Sequence, residues 1–408
     1  MLEPTPALKI NPTDVPLNLK TEQHLTAVYQ AAVDTGLPVA LWHQPQKNAR
    51  FAVVDFNPAI EPTRIDFTSH RSGFAFSPFV NTDHNGTLFI NAGLYVTPTE
   101  HRFSATDDFP AARADFLARY RQLAHTAAPI ETGWRLPADY TVTATASKEE
   151  FCALVADAIT YIKESGIKKI VASRATETPL PPNFNPVKLF IALSERYPHA
   201  FVSLVSIPGI GTWIGASPEL LLSLRQNSLR TVALAGTQAR PADKPLEAVR
   251  WGQKEIEEQA LVSDYIRDFF HDIGLRTFTT VGPRTVSAGN VVHLQTSFTV
   301  TDAPANLHRL ANQILHRLHP TSAVCGMPKN EALSFILEKE NYNRAFYSGF
   351  LGPVHINSES RLYVNLRCMQ LKTRSALLYI GAGITTDSNP EAEWNETVLK
   401  SKTLLSVL

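Results

Sequence analysis

Two short stretches of this sequence carry carboxylates three residues apart. WGQKEIEEQALVSDYIRDFF holds Glu255 and Glu258, and EAEWNETVLK, near the C-terminus, holds Glu393 and Glu396 with Lys400 one turn later. Spacings of three and four put each set on one stripe of a helix. Like charges one turn apart repel mildly, so either pair alone reads as a solvated helix face. Two helices that each offer such a pair also suit a hard divalent cation, because Mg2+ takes a few carboxylates together with water and an anionic substrate oxygen. On the carboxylates alone both readings stand.

Three further segments set charge among apolar neighbours. Lys169 opens the strand pattern KIVASR. If that strand enters a core, its ammonium must be paired or lose its proton, which is how a lysine becomes a general base. Glu219 closes the turn GASPE and leads into LLLSL, where a desolvated carboxyl would become a general acid. Each of these, taken singly, is also an ordinary edge charge. The segment LHPTSAVCGMPKNEALSFILEKENYNRAFYSGFLGP gathers Glu340, Arg344 and Tyr347 around a helix end, and YVNLRCMQ holds Arg367 in a strand whose burial would demand an anion.

These residues need elements to position them. TEQHLTAVYQAAVDTG and PAARADFLARYRQLAHTAA read as helices, ARFAVVDF and TLFINAGLYV as strands, and APIETGWRLPADY as a linker. Ser147 and Glu150 form a capping pattern for a helix with Phe151, Leu154, Val155, Ala158, Ile159 and Ile162 on its apolar face, ended by Gly166. KKIVASR, AFVSLVSI, TWIGA, ELLLSLR and TVALAG follow as strands. The pattern predicts a long helix at about 244 to 274, then further helices near 305–318 and 330–340. Strands in consecutive runs, with helices between groups of them, predict an α+β fold.

With 408 residues and 44% hydrophobic content, the chain can fill a sizeable core. Lysine plus arginine equal aspartate plus glutamate at 38 each, which gives no reason to expect nucleic acid or an anionic membrane as partner. No segment approaches the roughly 20 apolar residues of a membrane span, and MLEPTPALKINPTDVPLNLK lacks a signal-peptide pattern, so a cytoplasmic protein is expected. Cys152, Cys325 and Cys368 are expected as buried thiols, not bridges or zinc ligands. Neither a P-loop nor a G-x-G-x-x-G after a strand is present.

The ordered set KIVASR, GASPE, ALAGT, KEIEEQALV, HLQT, LHPTSAVCG, ENYNRAFYSG, LRCMQL, GAG and EWNETVLK resembles the chorismate-utilising enzymes, and is most similar to isochorismate synthases of menaquinone or siderophore type. The resemblance covers roughly residues 145 to 405. It implies a large α+β fold of two packed β-sheets with helices outside and a central cleft. Residues 141–408 would form the catalytic region and 1–140 an N-terminal part that is poorly matched.

By motif position the resemblance implies Glu258 and Glu396 as direct Mg2+ ligands, with Glu255 and Glu393 supporting them. Lys169 would be the base and Glu219 the acid, and His319 would line the cleft in an unassigned catalytic role. Arg367 and Tyr347 would hold the enolpyruvyl carboxylate of chorismate near Lys400, and Ala235, Gly236 and Thr237 would also contact substrate. The glycine turn Gly381-Ala382-Gly383 would offer N–H groups to a carboxylate.

The resemblance implies an isomerase that adds water at C2 of chorismate with loss of the C4 hydroxyl. Relatives that add ammonia usually lack the lysine found here at 169, and those that form a covalent amine have lysine where this chain has Ala235. A glutamine amidotransferase subunit is therefore not expected, and the chain is expected to be a monomer. Tyr347 and Leu366 also resemble salicylate synthases, which go on to eliminate pyruvate; that is the alternative. Gln259 departs from the family's histidine. A silent homologue that merely binds a dicarboxylate is disfavoured, since a binding module needs no acid and base.

Overall fold

Along the strand Val39–His43 the side chains of Val39 and Leu41 join one apolar cluster, and those of Ala40 and Trp42 another. Phe201–Ile207 divides the same way, with Val202 and Leu204 on one face and Phe201, Val205 and Ile207 on the other. Strands apolar on both faces must lie between two layers. The computed structural model, which describes residues 21–81, 86–106, 108–126, 128–138, 146–241, 245–288 and 291–408, shows those layers as helices outside and a second sheet inside.

The larger sheet has ten strands, in the order Gly326–Met327, Lys169–Pro179, Ser375–Ile384, Cys368–Leu371, Gly211–Ser217, Phe201–Ile207, Val39–His43, Arg50–Val54, Leu94–Val96 and His101–Phe103. The other has eight: Thr279–Ala288, Val291–Thr301, Ser228–Ala239, Leu220–Arg225, Ser360–Val364, Phe350–Val354, Gly73–Ser77 and Leu88–Asn91. Neighbouring strands run antiparallel. An aromatic layer joins the sheets, with Phe76 stacked on Phe346 at 4.1 Å between centroids and Phe201 on Tyr363 at 4.2 Å. The α+β expectation of two packed sheets with helices outside is met. The first 140 residues supply strands to both sheets, Val39–His43 pairing with Phe201–Ile207 and Gly73–Ser77 with Phe350–Val354.

Helices Thr21–Asp34, Pro110–Ala124 and Pro186–Arg196 cover the outer face of the ten-stranded sheet, and Gln253–Asp272 and Pro304–Leu318 that of the eight-stranded one. Lys148–Ser165 and Lys329–Lys339 flank the strand Lys169–Pro179, and Pro390–Leu405 packs on Ser375–Ile384. The start of Lys148–Ser165 is as expected. Ser147 Oγ accepts from Glu150 N–H at 3.1 Å, Glu150 Oε2 accepts from Ser147 N–H at 2.7 Å, and Gly166 closes the helix at φ 74°. Cys325 and Cys368 are buried, whereas Cys152 is half-buried.

Five expectations change. YVNLRCMQ is not one strand: Ser360–Val364 lies in the eight-stranded sheet and Cys368–Leu371 in the ten-stranded one, with Arg367 between them at φ 47°. TLFINAGLYV is two strands, one in each sheet, because Gly93 packs so closely on Val54 and Phe56 that the chain turns there. The linker is a strap: Gly133 N–H donates to Gln30, Trp134 Nε1 to Lys372 O, and Arg135 to Ala32 O; its Asp139 and Tyr140 lie outside the described residues, as do residues 1–20. The long helix starts only at Gln253, after a 3-10 turn at Leu246–Ala248 framed by Pro245 and Gly252; position 244 is outside the described residues. Gly381-Ala382-Gly383 is no turn but strand, paired residue for residue with Ser173, Ala172 and Val171.

Candidate active site

Strand alternation decides what faces the interior on Lys169–Pro179. Ile170 and Ala172 join the helix-side cluster, which turns Lys169 and Val171 to a cavity between the sheets. Opposite them Gly381 and Gly383 face the same cavity, while Ala382 points to the helices. The glycines are required by close approach. A Cβ on Gly381 would sit 2.8 Å from Tyr347 Oη, and one on Gly383 2.7 Å from Glu258 Oε1 and 2.9 Å from Lys169 Cε.

From the other sheet come Ala235, Gly236 and Thr237, at a bulge where Gly236 takes φ 67° against Glu255. The helix Gln253–Asp272 adds Glu258, and Pro390–Leu405, capped by Asn389, adds Glu396 and Lys400. Glu219, Tyr347 and Arg367 complete the lining among the expected residues.

Each metal-side carboxylate except Glu255 is held by a lysine. Lys169 Nζ lies 2.7 Å from Glu258 Oε1, Lys400 Nζ 2.6 Å from Glu396 Oε1, and Lys254 Nζ 2.6 Å from Glu393 Oε1. Gly236 N–H also donates to Glu258 at 3.3 Å, and Lys400 to Gly381 O at 2.9 Å. Burial acts against the charge of Glu258, but Lys169, Lys400 and Lys254 outweigh it and hold the carboxyl below its usual range. Burial likewise opposes the charge of Lys254, yet Glu393, Glu396 and Glu258 together hold it above the ordinary lysine value. Three carboxylates therefore converge on one ammonium.

With these pairs closed the cavity measures about 70 Å3. That is well below the few hundred Å3 usual for small-molecule sites.

Glu219 is different. Burial pushes its pKa up to about 7, against Lys169, a 3.4 Å hydrogen bond from Thr321 Oγ1, Lys400 and Arg367. Its proton is thus held more tightly than that of an ordinary carboxyl, a property suited to a general acid. Arg367 sits at φ 47° with Nη1 buried and unpartnered among the described residues, while burial depresses its pKa. A guanidinium so placed calls for an oxyanion.

Sequence reasoning passed over His293, although it stands in HLQT. It lines the cavity on the strand beside Thr237. Its Nδ1–H donates to Gly236 O at 2.9 Å, which leaves Nε2 to accept from Arg367 Nη2 at 3.4 Å. Burial and Arg367 lower its pKa to about 3, so it stays neutral.

Other expected residues lie elsewhere. His319 does not line the cavity. It ends the helix Pro304–Leu318, donates from Nε2 to Pro78 O at 3.0 Å and meets Phe350 edge-on, and burial lowers its pKa to about 4. Glu255 and Glu393 stand behind the lining, as does Ala382. Gln259 points away, donating to Ala233 O, Ser263 and Thr296, which spends the departure from histidine on the sheet. Glu340 and Arg344 form a buried structural pair: Glu340 accepts from Ser173 N–H and Oγ, and Arg344 donates to Glu340, Val324 O and Val171 O.

Two cavity-facing carboxylates with supporting ones behind fit Mg2+, which needs one or two and leaves its other positions to water and substrate. Among the described residues no group of three or more His, Cys, Asp or Glu is placed to hold a metal ion. Nor is any described helix long and apolar enough to cross a membrane.

The model of the family described as chorismate binding enzyme matches residues 38–408, reaching well into the N-terminal part. The vibriobactin-specific isochorismate synthase of Vibrio cholerae serotype O1 is 30% identical over 267 residues, 64% of this chain and 67% of that protein. Isochorismate synthase EntC of Escherichia coli K12 is 28% identical over 262 residues, 63% of this chain and 66% of that one. These matches thus span about two thirds of the relatives' length. Among solved structures, the menaquinone-specific isochorismate synthase MenF of Escherichia coli superposes with a TM-score of 0.72 at 23% identity, covering 96% of this chain and 92% of that one, a likeness of fold.

Proposed function

We infer, for a chain that belongs to the chorismate binding enzymes, that it is an isochorismate synthase, an isomerase converting chorismate reversibly to isochorismate. The observation that carries the chemistry is the pairing of Lys169 with Glu219 across one cavity: a buried amine on one sheet and, on the turn entering the other, a carboxyl whose pKa stands at about 7.

Water attacks C2, the ring double bonds shift, and the C4 hydroxyl leaves, so one water enters for each that departs. Lys169 takes the proton of the attacking water, for which its Nζ must part from Glu258 Oε1, 2.7 Å away in this structure. Glu219 gives its proton to the departing hydroxyl. Arg367 meets a substrate carboxylate with its free Nη1, and His293, fixed by Gly236 O, holds the other arm of the guanidinium. Tyr347 stacks on Tyr379 at 5.6 Å and keeps its hydroxyl at the Gly381 strand, shaping the enolpyruvyl end. Glu258 and Glu396 would hold Mg2+, backed by Glu255 and Glu393, and the bound ion supplies positive charge for a substrate carboxylate.

Ala235 presents a methyl group to the cavity, which argues against a covalent amine intermediate, and Lys169, which ammonia-adding relatives usually lack, favours water as the nucleophile, so no amidotransferase subunit is expected. The product names the activity. Chorismate with Mg2+ should give a mixture of chorismate and isochorismate, with no stoichiometric pyruvate in a lactate-dehydrogenase-coupled assay and no change on adding ammonium. Pyruvate released at the rate of chorismate loss, with salicylate fluorescence, would assign the chain to salicylate synthesis instead.

A further inference from the structure

On the eight-stranded sheet, Ser223 is paired on one side with Arg230 and on the other with Arg361. Cross-strand partners share a face, and Arg225, two residues along, shares it too. These three, together with Arg284 on the edge strand, line a groove of about 930 Å3. Like charges set side by side across strands destabilise a sheet unless something neutralises them. Two carboxylates face the four arginines. Glu359 bridges Arg225 at 3.2 Å and Arg361 at 3.0 Å, and Glu247 lies in the groove wall. Among the described lining residues two positive charges remain in excess, and Lys47, close enough to interact with Arg361, Arg225 and Glu359, adds to them. The Nε atoms of Arg230 and Arg361 are buried with no hydrogen-bond partner among the described residues. Such donors are costly unless a ligand meets them.

We propose that this groove is a second oxyanion site, separate from the catalytic cavity, for a small anion carrying at least two phosphate or carboxylate groups. Arginine forks match both oxyanions in bidentate geometry. The excess of two charges and the two unmet Nε donors set the number of anionic groups. Pro218 lines both the groove and the catalytic cavity, and Leu220 also lines the groove, so a bound anion touches both neighbours of Glu219.

The test is calorimetric titration of the full chain at low salt without Mg2+, with pyrophosphate and citrate as probes. The tighter of the two identifies the groups the groove prefers. Arg230→Ala and Arg284→Ala should each weaken binding at least about tenfold, as loss of a charge-assisted hydrogen bond does. Arg284 is exposed, so its variant leaves the fold intact. Arg361→Lys, which keeps the charge but loses the fork, should also weaken binding, whereas Arg367→Ala should leave it unchanged. Absence of binding at millimolar probe, or binding lost with Arg367→Ala but kept by the groove variants, would overturn the proposal.

Discussion

Replacing Glu219 by glutamine separates what this carboxyl does for the reaction from what it costs the fold. The side chain is 5% exposed, and burial moves its pKa from 4.5 to about 7. Such a displacement corresponds to about 3 kcal/mol. The folded state binds this proton more tightly than the unfolded state, so the carboxyl is neutral to stability below pH 4.5. It then becomes progressively destabilising up to about pH 7, and above that its cost is constant. Glu219→Gln keeps shape and can still accept from Thr321, but never ionises. By denaturant unfolding the variant should therefore be about 3 kcal/mol more stable than the parent at pH 8, with the gain vanishing near pH 4.5. Activity should move oppositely. At pH 8 roughly a tenth of Glu219 retains its proton if its pKa is about 7, so the parent's kcat divided by the variant's, a ratio in which every other titrating group cancels, should fall about tenfold per pH unit above that point. The variant should lose roughly a hundredfold or more at the optimum, and this alkaline limb with it. Equal stability of the two proteins at pH 8, or a parent-to-variant kcat ratio that does not fall above pH 7, would refute the assignment of Glu219 as a buried acid.

Glu258→Gln and Glu396→Gln should each weaken Mg2+ binding at least about tenfold by calorimetry and abolish turnover while the fold survives, since two cavity-facing carboxylates leave little redundancy; full turnover in excess chelator would leave both carboxylates as partners of Lys169 and Lys400 with no metal role. Arg367→Ala should raise KM by about 10- to 150-fold with a smaller effect on kcat, the loss expected of a charged anchor in steady-state kinetics. Arg344→Met should destabilise by about 3–5 kcal/mol in denaturant unfolding, because it strands Glu340, whose side chain is 2% exposed, without its cation.

The carboxylate pairs were legible because helical spacing is a local property, and Lys169 and Glu219 because each stands at the edge of a strongly apolar run. Partners were not. Nothing near Lys254 in the chain announces that it holds Glu393, 139 residues away. A lone histidine in a strand gives no sign of its neighbours, so His293 went unmarked although the register places it beside Thr237. His319 was expected at the cleft only by its place in the motif LHPTSAVCG, yet its ring is used on Pro78 and Phe350. The motif Gly381-Ala382-Gly383 suggested a turn because glycine permits one; here the glycines serve side chains packed against a straight strand, which only the tertiary structure reveals. The break in TLFINAGLYV has the same origin, since strand identity depends on which sheet each half joins.

The most direct test of water addition by Lys169 and Glu219 is to follow the first turnovers in water enriched in oxygen-18 and locate the label by mass spectrometry and NMR. The account predicts one labelled oxygen per isochorismate, at the C2 hydroxyl, and formation of this product lost in Lys169→Ala although chorismate still binds. Product formed with its original oxygen, by migration of the C4 hydroxyl, or labelled product made at the parent's rate by Lys169→Ala, would contradict it.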